Sequence, residues 1–109
     1  MVWIHGGMNC ISSNHGNSLG WSPTCSEHFA CAGIVTVALN YRQNVHGFAH
    51  YPSLGITNLA LRDRIAALEW VQKEIGAFGG DPSNVTIFGE SAGGIGVATV
   101  LACPAASTL

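Results

Sequence analysis

The chain has 109 residues, which makes one domain the upper limit. Of these, 48% are hydrophobic and only 9% charged, where an ordinary soluble domain carries about 25%, so the composition fits the interior portion of a larger fold. The net charge of −2 provides no basic surface for nucleic acid or anionic lipid. No apolar run is long enough for a membrane span, and the first residues lack the charged, apolar and small-residue regions of a signal peptide.

Taken in order, Val2-Trp3-Ile4 reads as a short apolar strand that runs into His5-Gly6-Gly7. Residues 8–21 are rich in Asn, Ser and Gly and read as a long loop. Ser22-Pro23 has the form of a cap and first helical residue, and the helix is expected to continue through Phe29 and Ala30 to a left-handed cap at Gly33. Residues 34–39 are β-branched without alternation, which predicts a strand buried on both faces of a parallel sheet, and residues 40–57 read as loop.

Leu61, Ile65, Leu68, Val71, Ile75 and Phe78 recur at spacings of three and four, which places them on one helical face and the charges on the other. Gly79-Gly80 ends that helix, and Asp81-Pro82-Ser83-Asn84 forms a turn. Residues 85–88 predict a buried strand, and residues 92–102 a helix of small residues halted by Pro104. Strands separated by helices in this way imply an α/β fold with a mostly parallel sheet covered on both faces.

Chemistry concentrates at two strand ends. In Val85-Thr86-Ile87-Phe88-Gly89-Glu90-Ser91-Ala92-Gly93-Gly94 a strand meets G-x-S-x-G and then a helix, the arrangement that projects Ser91 from a sharp turn as a nucleophile. His5-Gly6-Gly7 is a glycine-rich turn after a strand, and its N–H groups, with that of Ala92, suit a developing oxyanion. The plainer alternative is that Gly6-Gly7 only turns the chain and Ser91 only caps a helix.

Other patterns carry less. Cys25, His28 and Cys31 are three apart and, with Cys10, offer a zinc set, but the spacing is not that of a paired knuckle, and neither a metal nor a cofactor is expected. The four cysteines allow three full pairings, with nothing to choose among them. His46 and His50 are four apart, yet Gly47 argues against a helix between them. Asn84-Val85-Thr86 is a formal glycosylation acceptor weakened by the expected burial of Thr86. Gly94-Ile95-Gly96 begins a dinucleotide fingerprint that its later positions do not complete. Trp3 and Trp70 are expected in the core, and Trp21 is the one tryptophan placed for a binding surface.

On these residues the chain resembles the type-B carboxylesterases of the α/β-hydrolase fold, a family that includes the cholinesterases and many fungal lipases. The resemblance is strongest over Ala77-Phe78-Gly79-Gly80-Asp81-Pro82-Ser83-Asn84 and the elbow that follows. Val2 to Gly7 is similar to the family's oxyanion turn, Leu39-Asn40-Tyr41-Arg42 with Gly47-Phe48 to its next strand and loop, and Asn58-Leu59-Ala60-Leu61-Arg62-Asp63-Arg64 with Glu69-Trp70-Val71 to its following helix. The resemblance covers most of the chain outside residues 9–32. It implies that residues 1–109 are an incomplete N-terminal and central part of an α/β-hydrolase domain.

It further implies a serine hydrolase that cleaves carboxylic esters, lipids among them, through an acyl-enzyme on Ser91. Glu90 lines the same pocket, and Gly6, Gly7 and Ala92 form the oxyanion hole. The family's later acid and His have no counterpart, because all five histidines precede Ser91. Without its base a serine hydroxyl is a poor nucleophile, so the chain as given is not expected to turn over an ester at enzyme-like rates. The competing reading is a non-catalytic interaction protein of the same fold, or an inactive remnant.

Several positions depart from the family pattern. Met8 stands where Gly or Ala is usual and would crowd the acyl pocket or shift a donor N–H. Ala60 replaces a usual Gly, and Arg62 and Arg64 replace the usual Leu and Gln, while Arg42 and Asp63 match a structural ion pair.

Overall fold

The computed structural model describes residues 1–15, 26–107 and 109. Strand β1 (Val2–Ile4) lies at the centre of a three-stranded sheet, parallel to β2 (Val37–Leu39) on one side and to β3 (Ile87–Gly89) on the other. Side chains alternate across β1, so its two faces bury different partners. Val2 and Ile4 enter the main core with Leu39, Tyr41, Leu68, Val71, Ile75 and Val100. Trp3 points the other way, its ring 5.0 Å from that of Phe88, which meets Phe29 at 6.0 Å.

Helices therefore cover both faces. Helix α1 (Ser26–Cys31) supplies Phe29 on one side, and α3 (Leu59–Glu74) and α4 (Ala92–Leu101) supply the core residues on the other. The α/β class with a parallel sheet, expected from the alternation of strands and helices, is the architecture observed.

Several expectations need correction. The ladder of β2 includes only the last three of residues 34–39, and Val37, Ala38 and all of β3 are half-buried where burial on both faces is expected, because each strand pairs with β1 on one side only. Thr86 precedes β3 and is exposed, as is Asn84, so burial is no argument against modification there. Residues 40–57 contain a short helix, α2 (Asn44–Phe48), and a 3₁₀ turn, Pro52–Leu54. Gly47 sits inside α2, where the helix presses on the Arg42 carbonyl and lies close to Ala60 of α3, an approach that leaves no room for a Cβ. His50 falls beyond the end of α2.

On α3 the buried positions are Ala60, Arg64, Leu68 and Val71, continued by Ile75. The buried face is thus rotated from the expected one. Leu61 and Ile65 sit at its border, Phe78 is exposed, and Trp70, 45% exposed, packs its ring 5.8 Å from Phe78 on the surface. Arg64, expected among the solvated charges, is only 4% exposed.

The terminators behave as expected. Gly33 and Gly79 take left-handed backbone after α1 and after the 3₁₀ turn Ile75–Phe78, and the Asp81 carboxylate accepts from Ser83 N–H at 2.8 Å to close the turn before β3. The expected cap at Ser22-Pro23, Trp21 and the Cys25 member of the zinc set lie outside the described residues. Cys10, Cys31 and Cys103 form no disulfide among the described residues. No described helix is long and apolar enough to cross a membrane.

Candidate active site

Because Ile4 pairs with Gly89, the chain leaves β1 and β3 at the same sheet edge. The two turns that follow touch. A methyl group on Gly6 would lie 2.7 Å from the Glu90 carbonyl oxygen, 2.8 Å from Glu90 Oε2 and 3.1 Å from Ser91 Cβ, so only glycine permits this approach. Gly93, the second residue of α4, is equally constrained, since a Cβ there would overlap the Ile4 carbonyl.

Ser91 has φ 53° and ψ −123°, a region sparsely populated by residues with a side chain, at a cost of about 1–3 kcal/mol. The turn is held by Gly93 N–H donating to Glu90 O at 2.7 Å and Ile95 N–H donating to Ser91 O at 3.1 Å. Ser91 is exposed, Glu90 is exposed beside the glycine turn, and Ala92 is buried as the first residue of α4, where the N–H has no intrahelical partner. Gly7 has φ 102°, and its carbonyl accepts from Cys10 and Ile11 N–H, which folds the turn back on itself. The N–H groups of Gly6 and Gly7 have no backbone acceptor among the described residues. Met8 is 73% exposed, so its side chain stands in solvent and does not crowd the turn.

Ser91, Glu90, Gly6, Gly7 and Ala92 are thus brought together. No hydrogen bond joins Ser91 to a histidine among the described residues. His5 is 2% exposed, and its Nδ1 lies 2.8 Å from the Gly6 carbonyl oxygen. A carbonyl only accepts, so Nδ1 carries the proton, and Nε2 is buried without a partner among the described residues. Burial, with a smaller contribution from the nearby Arg64 charge, holds the His5 pKa below its usual 6.5, against the opposing Gly6 hydrogen bond.

This has a consequence for stability. Above pH 6.5 His5 is neutral in folded and unfolded chains alike; below it the unfolded chain takes up a proton first, and stability declines toward the lowered folded pKa. Asp63 and Asp81 are also held below the usual carboxylate range, Asp63 mainly by Arg42 and Asp81 by Ser83, but their contributions fade only in more acidic solution. Melting temperatures are expected to fall between about pH 7 and pH 5, with a shallower fall in His5→Asn; parallel curves would contradict this.

Sequence reasoning missed the supports behind the glycine turn. The Tyr41 hydroxyl donates to the His5 carbonyl at 2.8 Å, the His5 and Tyr41 rings stack at 4.5 Å, and Arg64 Cζ lies 4.0 Å from the Tyr41 ring centroid. The available signal was positional, since Arg64 falls on the line Ala60, Leu68, Val71 once α3 is placed correctly. Arg42 and Asp63 form the expected ion pair: Arg42 Nε donates at 2.8 Å, a terminal guanidinium N–H at 2.6 Å and the Arg42 backbone N–H at 2.9 Å, tying the segment after β2 to α3 at the surface.

The carboxylesterase family profile matches residues 1–109. The chain is 45% identical over its whole length to a para-nitrobenzyl esterase of Bacillus subtilis, of which it covers 22%, and 43% identical over 89% of its length to human bile salt-activated lipase, of which it covers 13%. Among solved structures, a thermophilic PNB esterase superposes with a TM-score of 0.85 at 46% identity, over 98% of this chain and 22% of that one. A carboxylesterase of Geobacillus stearothermophilus superposes with a TM-score of 0.84 at 44% identity, over 99% and 24%. The chain spans about a fifth of the length of most of these relatives, and its parallel sheet with helices on both faces is part of their α/β-hydrolase fold. The chain belongs to the carboxylesterase family.

Proposed function

We propose that this chain carries the nucleophile and oxyanion hole of a carboxylic ester hydrolase, within the N-terminal and central part of an α/β-hydrolase domain. Ser91 Oγ attacks the ester carbonyl carbon, and the oxygen that gains charge is received by the N–H groups of Gly6, Gly7 and Ala92. Collapse of the tetrahedral intermediate breaks the bond to the alcohol and leaves an acyl group on Ser91, which water then removes. Fixed donors favour the tetrahedral state over the flat ester because charge develops only there. Glu90 flanks the same turn and lines the pocket.

The single observation that carries this reading is the backbone of Ser91, strained at φ 53° and so close to Gly6 that a methyl group on that glycine would lie 3.1 Å from Ser91 Cβ. A binding surface has no need of a serine kept on such a turn. The names of the relatives, esterases and a lipase, support carboxylic esters as the substrate class, lipids included. The proton acceptor lies outside these residues in this reading, which makes both acylation and deacylation slow.

The expected result with p-nitrophenyl acetate is therefore slow acetylation of the protein without sustained turnover, lost in Ser91→Ala. Acetyl transfer at the same rate in parent and variant would overturn the reading.

A further inference from the structure

Two peptide planes make the glycine turn, and each is held by its carbonyl oxygen. A trans peptide is flat, so fixing the carbonyl fixes the N–H that points the opposite way. The Tyr41 hydroxyl, donating to the His5 carbonyl at 2.8 Å, sets the plane that carries Gly6 N–H. The His5 Nδ1–H, donating to the Gly6 carbonyl at 2.8 Å, sets the plane that carries Gly7 N–H. The donors of the oxyanion hole are thus aimed from behind, by groups that do not touch substrate.

One of those groups, Tyr41, is itself held by Arg64. Its guanidinium lies over the Tyr41 ring at 4.0 Å and donates to Asn9 Oδ1 at 3.4 Å, so one buried cation spans the residue that holds the start of the turn and the residue that follows its end. Met8 and Asn9 both have left-handed backbone, φ 54° and 59°, which needs support from the surroundings. Arg64 has no carboxylate partner among the described ion pairs, since Asp63 is engaged by Arg42. Gly96 makes room for it, because a Cβ there would lie 3.0 Å from Arg64 Cζ.

We propose that Arg64 and Tyr41 are positioning residues that clamp the 5–9 turn and thereby aim the Gly6 and Gly7 N–H groups at the oxyanion. The proposal rests on the reading of Ser91 as nucleophile. Arg64 acts through Tyr41 and Asn9, and Tyr41 through the His5 carbonyl.

Phenylboronic acid tests the clamp without turnover. The Ser91 Oγ–boron bond forms, the serine proton passes to buffer, and the tetrahedral boronate places its negative charge where the oxyanion would lie. Affinities are measured by titration for the parent, Ser91→Ala, Arg64→Met, Arg64→Lys and Tyr41→Phe, with melting temperatures alongside. Tyr41→Phe and Arg64→Met, the latter apolar and of similar length, are each expected to bind about tenfold more weakly. Arg64→Lys, which keeps a cation over the ring, is expected within about threefold of the parent.

If Arg64→Met and Tyr41→Phe melt earlier yet bind as tightly as the parent, while Ser91→Ala does not bind, the clamp is wrong and the nucleophile stands. Equal binding by Ser91→Ala, or none by the parent, overturns both.

Discussion

Gly93→Ala is expected to destabilise the protein by about 3 kcal/mol or more, the upper range for a clash that cannot be relieved by turning a side chain. The added methyl would meet backbone on every side: it overlaps the Ile4 carbonyl oxygen and lies 2.9 Å from the His5 carbonyl carbon. Neither can give way easily, because Ile4 belongs to the central, fully buried strand and His5 is held by the Tyr41 hydroxyl. Relief requires α4 to move off the sheet, which would separate Ser91 from Gly6. A denaturant midpoint lowered at unchanged slope would record the loss, and near-parental stability would show that α4 does not approach β1 this closely.

Ser91→Gly is expected to act in opposite directions on stability and chemistry. Glycine adopts φ 53°, ψ −123° without a Cβ penalty, which releases about 1–3 kcal/mol of strain. The greater freedom of glycine in the unfolded chain takes back part of this, leaving a net gain of about 1 kcal/mol, or roughly 4 °C in melting temperature. Acetylation by an activated ester is expected to disappear in the same variant. A protein made more stable by removing its proposed nucleophile is the signature of strain kept for function. A variant less stable than the parent would show that the turn is relaxed around serine.

Much of this was legible in the residue order. The elbow could be read because G-x-S-x-G follows a β-branched strand and precedes small residues, and the glycine turn because Gly6-Gly7 follows Val2-Trp3-Ile4. That the two turns meet depends on the pairing of β1 with β3, which brings together residues more than eighty positions apart; spacing within one segment cannot reveal it. The orientation of α3 was misread for a related reason. Leu61, Ile65 and Phe78 fit the helical period as well as Ala60, Leu68 and Val71 do, and a buried arginine breaks the pattern of apolar positions.

Arg64 is buried between the Tyr41 ring on one side and Asn9 on another, partners that come from distant segments, while its Nε has no partner among the described residues. Trp70 errs in the opposite sense, exposed although apolar, and its contact with Phe78 leaves both rings on the surface. Gly47 shows that a poor helix former is accepted where α2 must approach α3 closely.

Site mapping after exposure to p-nitrophenyl acetate tests the central claim most directly. Tandem mass spectrometry of the digested protein is predicted to find the acetyl group on Ser91, ahead of the other exposed serines among the described residues, Ser53, Ser83 and Ser107, and to find it absent when Gly6 is replaced by alanine. Acetyl spread evenly over the exposed serines, or Ser91 left unmodified, would contradict the account.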